Sequence, residues 1–148
     1  MKKTKSYLVV RVSKLDSVDP IAEINRVIDK EGASWFGKYG RPIKMLKLDE
    51  LCPPVLVLVI RNQKHYESAT YEIIGQSRRT PKSGMFPDYY KSVLRRISSW
   101  FKIKHTEKSV EINDLIVKSS GQTLAEALHG SMSAHFLCID RQCNDYMF

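Results

Sequence analysis

The sequence predicts an α+β domain with a curved, mostly antiparallel β-sheet and helices packed outside it. Short apolar, β-branched runs at Tyr7–Ser13, Val55–Ile60 and Ala69–Ile74 have the length and composition of strands. In contrast, Pro20–Lys30 carries its apolar residues at helical spacing. The chain has 148 residues, 43% of them hydrophobic, and no linker long enough to divide it. We therefore expect one domain, residues 1–148, around one core.

The first strand and the first helix have recognisable boundaries. Arg11 interrupts the apolar strand Tyr7–Ser13 and is expected to face solvent. Asp19 and Pro20 then suit the N-cap and the first position of a helix, which Gly32 ends. The helix residues predicted to pack on the core are Ile21, Ile24, Val27 and Ile28.

Residues 32–42, GASWFGKYGRP, are predicted to form an irregular, glycine-jointed loop that presents aromatic and basic side chains. The segment approaches the phosphate-loop pattern, but Tyr39 stands where Ser or Thr must bind magnesium, so that motif is not assigned. A short helical turn is expected at 47–51. Val55–Ile60 is apolar throughout, which predicts a central strand buried on both faces, and the chain returns through 65–76 to complete a hairpin.

The second half of the chain begins with a predicted loop at 78–87. A helix from Tyr89 to Ser98 follows, with Asp88 as its N-cap, and then a strand from Trp100 to Ile103. The helix residues expected to face the core are Tyr90, Val93, Leu94 and Ile97. Near the C-terminus we expect three elements, which are a strand or an irregular segment at 110–117, a short helix at 123–128 and a last strand at 134–139.

The positive charge of the chain is concentrated in one segment. The formal net charge is +8, and between Arg78 and Lys104 eight basic residues accompany one acid, Asp88. The same segment holds the aromatic residues Phe86, Tyr89, Tyr90, Trp100 and Phe101. Basic side chains neutralise phosphates and aromatic rings stack on bases, so this mixture favours a nucleic-acid partner, either DNA or RNA.

Several other classes of protein are not supported. No apolar run approaches the roughly 18 residues of a membrane-spanning helix, and the basic N-terminus lacks the apolar core of a signal peptide. We therefore expect a cytoplasmic protein with no membrane partner. His135, Cys138 and Cys143 form only one loose half of a zinc site, so no metal or other cofactor is predicted. His129 and Ser131 match only one half of a two-histidine phosphoesterase motif, and no catalytic residue is assigned.

Short motifs resemble one family. The runs YEIIGQS (71–77), FPDYY (86–90) and WFKI (100–103), with the opening YLVVRV (7–12), are similar to EVE-type domains of the PUA-like superfamily. The resemblance implies a PUA-like β-barrel and a pocket in which a base, often a modified one, is held outside the stack by aromatic walls. The matching positions are Tyr7, Gly75, Pro87, Asp88 and Trp100.

The predicted site combines this resemblance with the basic segment. The base pocket is expected to contain Trp35, Gly75, Ser77, Asp88 and Trp100, with Asp88 acting either as a reader of the base edge or as a helix N-cap. The residues expected to bind nucleic acid are Trp35, Tyr39, Arg78, Arg79, Lys82, Arg95, Arg96 and Trp100. Two other hypotheses stay open, a small nuclease or nucleotide hydrolase and a basic interaction protein that binds an acidic protein surface, such as a phage-type inhibitor.

Overall fold

A computed structural model describes residues 6–12, 18–40, 43, 51, 54–62, 65–130 and 133–140 of the chain. These residues form seven strands, two α-helices and two 3₁₀ segments. In chain order the elements are β1 (Ser6–Val12), α1 (Pro20–Glu31), β2 (Ser34–Tyr39), β3 (Val55–Asn62), β4 (His65–Ser77), a 3₁₀ helix (Asp88–Arg96), β5 (Ile97–His105), a 3₁₀ turn (Ile112–Asp114), β6 (Leu115–Val117), α2 (Leu124–Gly130) and β7 (His135–Asp140).

The seven strands form one sheet in the order β2-β5-β4-β3-β1-β7-β6. Strands β1 and β3 pair in parallel, and the other neighbours pair antiparallel. The predicted α+β class and mostly antiparallel sheet are therefore confirmed. The sheet is not closed, because no pairing joins β2 to β6 in the described part of the chain, so the barrel and its PUA-like curvature stay predictions.

Strand β3 lies in the middle of the sheet, as its apolar sequence predicts. Leu56 and Leu58 belong to a core cluster on one face, together with Ile24 and Ile28 of α1. Val57 belongs to a second cluster on the opposite face, together with Leu124 and Leu128 of α2. Because both faces of β3 are covered, neither set of alternate side chains meets water, and the strand has no polar position from Val55 to Ile60.

Helix α1 begins and ends where the sequence predicts. The Asp19 carboxylate accepts hydrogen bonds from the main-chain N–H groups of Ile21 and Ala22 at 3.1 and 3.3 Å, satisfying two donors that the first turn leaves free. Gly32 has a φ of 84° and donates its N–H to the carbonyl oxygen of Ile28 at 2.7 Å. Both caps follow from residue types that suit these positions.

The prediction of an irregular loop at residues 32–42 is wrong for its central part. Ser34–Tyr39 is strand β2, an edge strand that pairs antiparallel with β5. Gly32 and Gly40, with φ values of 84° and 79°, lie outside the strand and not within it. Successive side chains of β2 point to opposite faces of the sheet, as in any strand. Phe36 joins the core cluster that also contains residues of α1, whereas Trp35 packs on the other face.

The predicted helix 89–98 is also corrected. It is a 3₁₀ helix over Asp88–Arg96, interrupted at Val93, whose φ and ψ are −130° and 20°. Ile97 belongs to β5 because it pairs with Tyr39, so sheet pairing replaces the last helical turn. Asp88 is not an N-cap, since Pro87 occupies that position and no side-chain cap bond forms.

Elements near the C-terminus agree with their predictions within a few residues. At 110–117, where the sequence allows a strand or an irregular segment, the structure has the 3₁₀ turn followed by the short strand β6. Helix α2 and strand β7 lie at the predicted places. The helical turn predicted at 47–51 lies outside the described residues, apart from Leu51. Within the described ranges, no helix is long and apolar enough to cross a membrane.

Candidate functional site

The four predicted arginines lie at one end of the sheet. Strand β4 ends near the start of β5, and β5 starts opposite the end of β2. Arg78 and Arg79 directly follow β4, and Arg95 and Arg96 directly precede β5, with all four side chains exposed. The Ser77 hydroxyl accepts the N–H of Arg79 at 2.9 Å and donates to its carbonyl oxygen at 3.1 Å, which fixes the first turn of the loop. The fold thus brings together two pairs of arginines that are separated by 15 residues in sequence.

The charge of this region is not neutralised by nearby carboxylates. Ion pairs are formed by Lys91 with Asp88 and by Lys104 with Glu72, each at 3.2 Å. Five other exposed basic side chains form no ion pair with any carboxylate of the described residues. We call them the basic surface, and they are Arg78, Arg79, Lys82, Arg95 and Arg96. Such unpaired cations produce a positive potential that attracts polyanions.

Trp35 and Gly75, both predicted for the base pocket, lie in one row across three strands. Trp35 of β2 pairs with Lys102 of β5, and Lys102 pairs in turn with Gly75 of β4. A Cβ atom placed on Gly75 would stand 3.9 Å from the Trp35 ring and 3.4 Å from Cβ of Lys102, so the ring extends over Lys102 toward Gly75. Trp35 and Lys102 are both half-buried. The Trp35 N–H donates to the carbonyl oxygen of Met85 at 2.8 Å, which attaches the basic loop to β2.

Trp100 does not take the role predicted for it. Its side chain is 1% exposed, and its ring contacts Phe86 and Tyr90 at centroid distances of 5.2 and 5.5 Å. It lines neither of the two cavities described for this chain. A ring enclosed in this way has no face on which a base could stack. Trp100 therefore belongs to an aromatic core between the sheet and the 3₁₀ helix, and we withdraw it as a pocket wall and as a nucleic-acid contact.

Ser77 and Asp88, the other predicted pocket residues, have different surroundings. Ser77 pairs with Trp100 in the sheet, and its hydroxyl is engaged with the main chain of Arg79. The Asp88 side chain is 71% exposed and pairs with Lys91 in the next helical turn. The predicted pocket is therefore divided, because Trp35 and Gly75 lie together while Ser77 and Asp88 interact with their own neighbours.

A cavity of about 600 Å³ lies beside the basic surface. Its lining includes Lys38 and Tyr39 of β2, together with Arg96. Lys38 is only 3% exposed, and burial lowers the pKa of its ammonium group because the charge loses hydration. Burial likewise raises the pKa of the Tyr39 hydroxyl, and the positive charge of Arg96 partly opposes this shift. Sequence reasoning missed Lys38 because the segment was interpreted as a loop, in which a lysine is expected to face water.

Groups capable of catalysis or metal binding are sparse in the described residues. No three His, Cys, Asp or Glu side chains among them are close enough to hold a metal ion. Cys138 is fully buried, and burial raises the pKa of its thiol to about 12, so it stays protonated at neutral pH. Cys143, which the zinc hypothesis also used, lies outside the described residues.

Comparisons with known proteins identify no relative. No protein-family model, no curated protein and no solved structure matches the chain. The similarity to EVE-type domains therefore stays a prediction from short motifs. Any statement of function has to be argued from the basic surface, the row that contains Trp35 and the cavity.

Proposed function

We propose that this protein is a nucleic-acid-binding module whose interface is the row Trp35–Lys102–Gly75 across β2, β5 and β4 together with the basic surface. The observation that carries the proposal is the row Trp35–Lys102–Gly75, in which a partly exposed indole lies beside a lysine and a residue with no side chain. An indole ring supplies a stacking face for a base, and lysine neutralises a neighbouring phosphate.

The arrangement favours a base that has left a duplex or belongs to a single strand. Bases within a duplex are stacked on each other and present no free face to Trp35. Gly75 leaves room for a base next to the indole, whereas a larger side chain would occupy the space beside it. A strand that places one base on Trp35 would run its phosphates toward the loop that begins at Arg78, because Met85 attaches this loop to β2. The proposal agrees with the extruded, often modified base that the resemblance to EVE-type domains implies.

The direct test compares Trp35→Ala, Trp35→Phe and the parent in binding a fluorescently labelled single-stranded oligonucleotide. Base–aromatic stacking contributes roughly 1–3 kcal/mol per base, so Trp35→Ala is expected to weaken binding about fivefold to hundredfold and Trp35→Phe much less. Thermal melting of each variant controls for loss of the fold. Tyr66→Phe, a change near the start of β4, far along that strand from Gly75 and beside the cluster that α2 covers, serves as the matched control and is expected to bind like the parent.

Three results would contradict the proposal. A folded Trp35→Ala variant that binds as tightly as the parent would remove the stacking role. Cleavage of the labelled strand would instead support the nuclease hypothesis. Absence of retardation at about 0.1 M salt, where charges on the surface are screened beyond roughly 10 Å, would favour the basic interaction protein that binds an acidic protein.

A further inference from the structure

Strand β4 contains one residue, Ile74, that has no pairing partner on β5. Ile73 pairs with Ile103 and Gly75 pairs with Lys102, and these two partners are consecutive residues of β5. Ile74 is therefore an extra residue, and the pairing of β4 with β5 has a β-bulge at this point. Bulges are frequent beside functional sites, because they change the direction in which a side chain points.

Ile74 is also exposed to solvent. Its exposed fraction is 42%, and among the residues that the structure describes the only other exposed large hydrophobic side chain is Leu137, at 38%. A single exposed apolar residue is ordinary on a protein surface. Ile74 differs because it directly precedes Gly75 and so adjoins the row Trp35–Lys102–Gly75.

Ile74 and the Trp35 ring lie on the same face of the sheet. Ile73 belongs to the core cluster that also contains residues of α1, and successive side chains of a strand point to opposite faces. Ile74 therefore points to the face on which Trp35 packs. The Cη2 atom of the indole lies 3.9 Å from the position of a Cβ atom on Gly75, and successive Cα atoms are about 3.8 Å apart. The indole and Ile74 thus form one apolar surface, which we call the platform.

Positive charge accompanies the platform. Lys102 lies on the strand between those of Trp35 and Ile74, and it forms no ion pair with a carboxylate in the described part of the chain. The basic surface begins in the loop that follows β4. On the other side of the platform, the Glu72 carboxylate is offset by Lys104 at 3.2 Å. An apolar surface with cations within it and beside it suits flat groups that are linked by phosphates, as in a single nucleic-acid strand.

We propose that the platform holds two consecutive bases of a single strand side by side, the first on the Trp35 indole and the second on Ile74, with the phosphate between them on Lys102. This inference rests on the proposed function and deepens it, because it adds a residue to the interface and makes a dinucleotide the shortest complete ligand. Bases in this arrangement are not stacked on each other, so a duplex does not fit. The bulge provides the second position, since a regular strand would present only Gly75, which has no side chain, at this point.

The first experiment shortens Ile74 and measures binding of a labelled single-stranded oligonucleotide. Ile74→Ala is expected to weaken binding roughly threefold to tenfold, because it removes apolar surface that the second base covers. Leu137→Ala is the matched control, since it shortens the other exposed large hydrophobic side chain, on the distant strand β7, and is expected to bind like the parent. Thermal melting of both variants confirms that each is folded.

Deletion of Ile74 tests the role of the bulge. The deletion leaves Ile73 and Gly75 to pair with consecutive residues of β5, so we expect the sheet to form with a regular pairing. The second position of the platform is then absent, and binding of the oligonucleotide is expected to weaken as much as in Ile74→Ala.

Competition against the labelled oligonucleotide tests the number of bases. The dinucleotide dTpT is expected to compete better than thymidine 5′-monophosphate, because only the dinucleotide uses both positions. Ile74→Ala should therefore weaken dTpT and leave the mononucleotide unchanged, whereas Trp35→Ala should weaken both.

Separate results contradict the inference and the proposed function. The inference is overturned if Ile74→Ala and the deletion variant are folded and bind the oligonucleotide like the parent, or if dTpT competes no better than the mononucleotide. It is also overturned if Ile74→Ala weakens the mononucleotide as much as dTpT, since both residues would then contact one base. In all three cases a loss of binding in Trp35→Ala would still support the proposed function. If Trp35→Ala binds every ligand like the parent, the proposed function fails and the inference fails with it.

Discussion

Gly37 is the position in β2 where the sheet and the aromatic core leave no room for a side chain. A Cβ atom added there would stand 2.9 Å from both Cδ1 and Cγ2 of Ile97 and 3.1 Å from the ring of Trp100. Real Cβ atoms essentially never approach other atoms closer than 3.0 Å, so Gly37→Ala must move Ile97 or the strand. Cγ2 is attached directly to the Cβ of Ile97, and the fully buried Trp100 blocks movement on the other side.

Two opposing effects determine how much Gly37→Ala changes the free energy of unfolding. Inserting a methyl group into a well-packed region costs about 1–3 kcal/mol. Replacing glycine by alanine at a compatible backbone position stabilises a protein by about 0.4–1 kcal/mol, because the unfolded chain loses freedom. The φ angle of Gly37 is not positive, so this second effect applies. We therefore expect Gly37→Ala to lower the free energy of unfolding by about 1 kcal/mol, within a range of roughly 0–2.6 kcal/mol.

Urea unfolding followed by tryptophan fluorescence measures this difference, and Gly75→Ala is the matched control. At Gly75 the nearest atom to an added Cβ is 3.4 Å away, an ordinary contact, so that variant should be as stable as the parent or slightly more so. Ile97→Ala removes both clashing atoms and should make Gly37→Ala less harmful in the double variant. If Gly37→Ala proves at least as stable as Gly75→Ala, close packing around β2 does not limit the side chain at this position.

Two further predictions concern caps and charge. Asp19→Ala should destabilise the fold by about 1 kcal/mol because it removes both cap hydrogen bonds. The Asp88 side chain caps no helix, so Asp88→Ala should change the free energy of unfolding by under about 0.5 kcal/mol. Equal effects in urea unfolding would contradict the assignment of the caps. Changing Arg78, Arg79 and Arg95 together to Gln should flatten the dependence of nucleic-acid affinity on salt by roughly 0.7–0.9 in logarithmic slope for each phosphate that the variant no longer neutralises. Unchanged slopes in filter binding would show that these arginines do not bind phosphates.

The parts of the fold that could be predicted are those in which local sequence and tertiary packing agree. Helix α1 has a cap at each end and an apolar stripe between them, so its limits follow from the chain itself. Strand β3 is apolar at every position from Val55 to Ile60 because its two faces enter different cores. Its antiparallel pairing with β4 agrees with the few residues that separate the two runs in sequence.

The parts that were predicted wrongly are those in which a partner element decides the outcome. Gly37 suggests a loop, but it is required in β2 because Ile97 and Trp100 of the paired strand occupy the space of a side chain. Residues 97 and 98 continue a helical pattern in sequence, yet pairing with β2 makes them part of β5. In neither case does the segment itself contain the information that determines its structure.

The two tryptophans of the candidate site also differ in a way that their local sequence does not determine. Both stand near lysine in the sequence, and spacing alone gives no reason to expect Trp35 to be accessible and Trp100 to be enclosed. The difference arises because Phe86 and Tyr90 pack directly on the Trp100 ring, whereas Trp35 lies at the margin of this aromatic cluster. Lys38 could have been noticed from the alternation in SWFGKY, which places Lys38 on the same face as the core residue Phe36.

The mixture of aromatic and basic residues between 78 and 104 has two separate physical causes. Phe86, Tyr90 and Trp100 are buried and pack on one another, so they hold the loop and the 3₁₀ helix against the sheet. The basic side chains on the same segments are exposed and are held in place by this packing. Truncating Trp100 would therefore release the basic surface and weaken nucleic-acid binding without any stacking by that ring. A loss of affinity supports base stacking only at Trp35, where the side chain can be changed without removing the core that positions the charges.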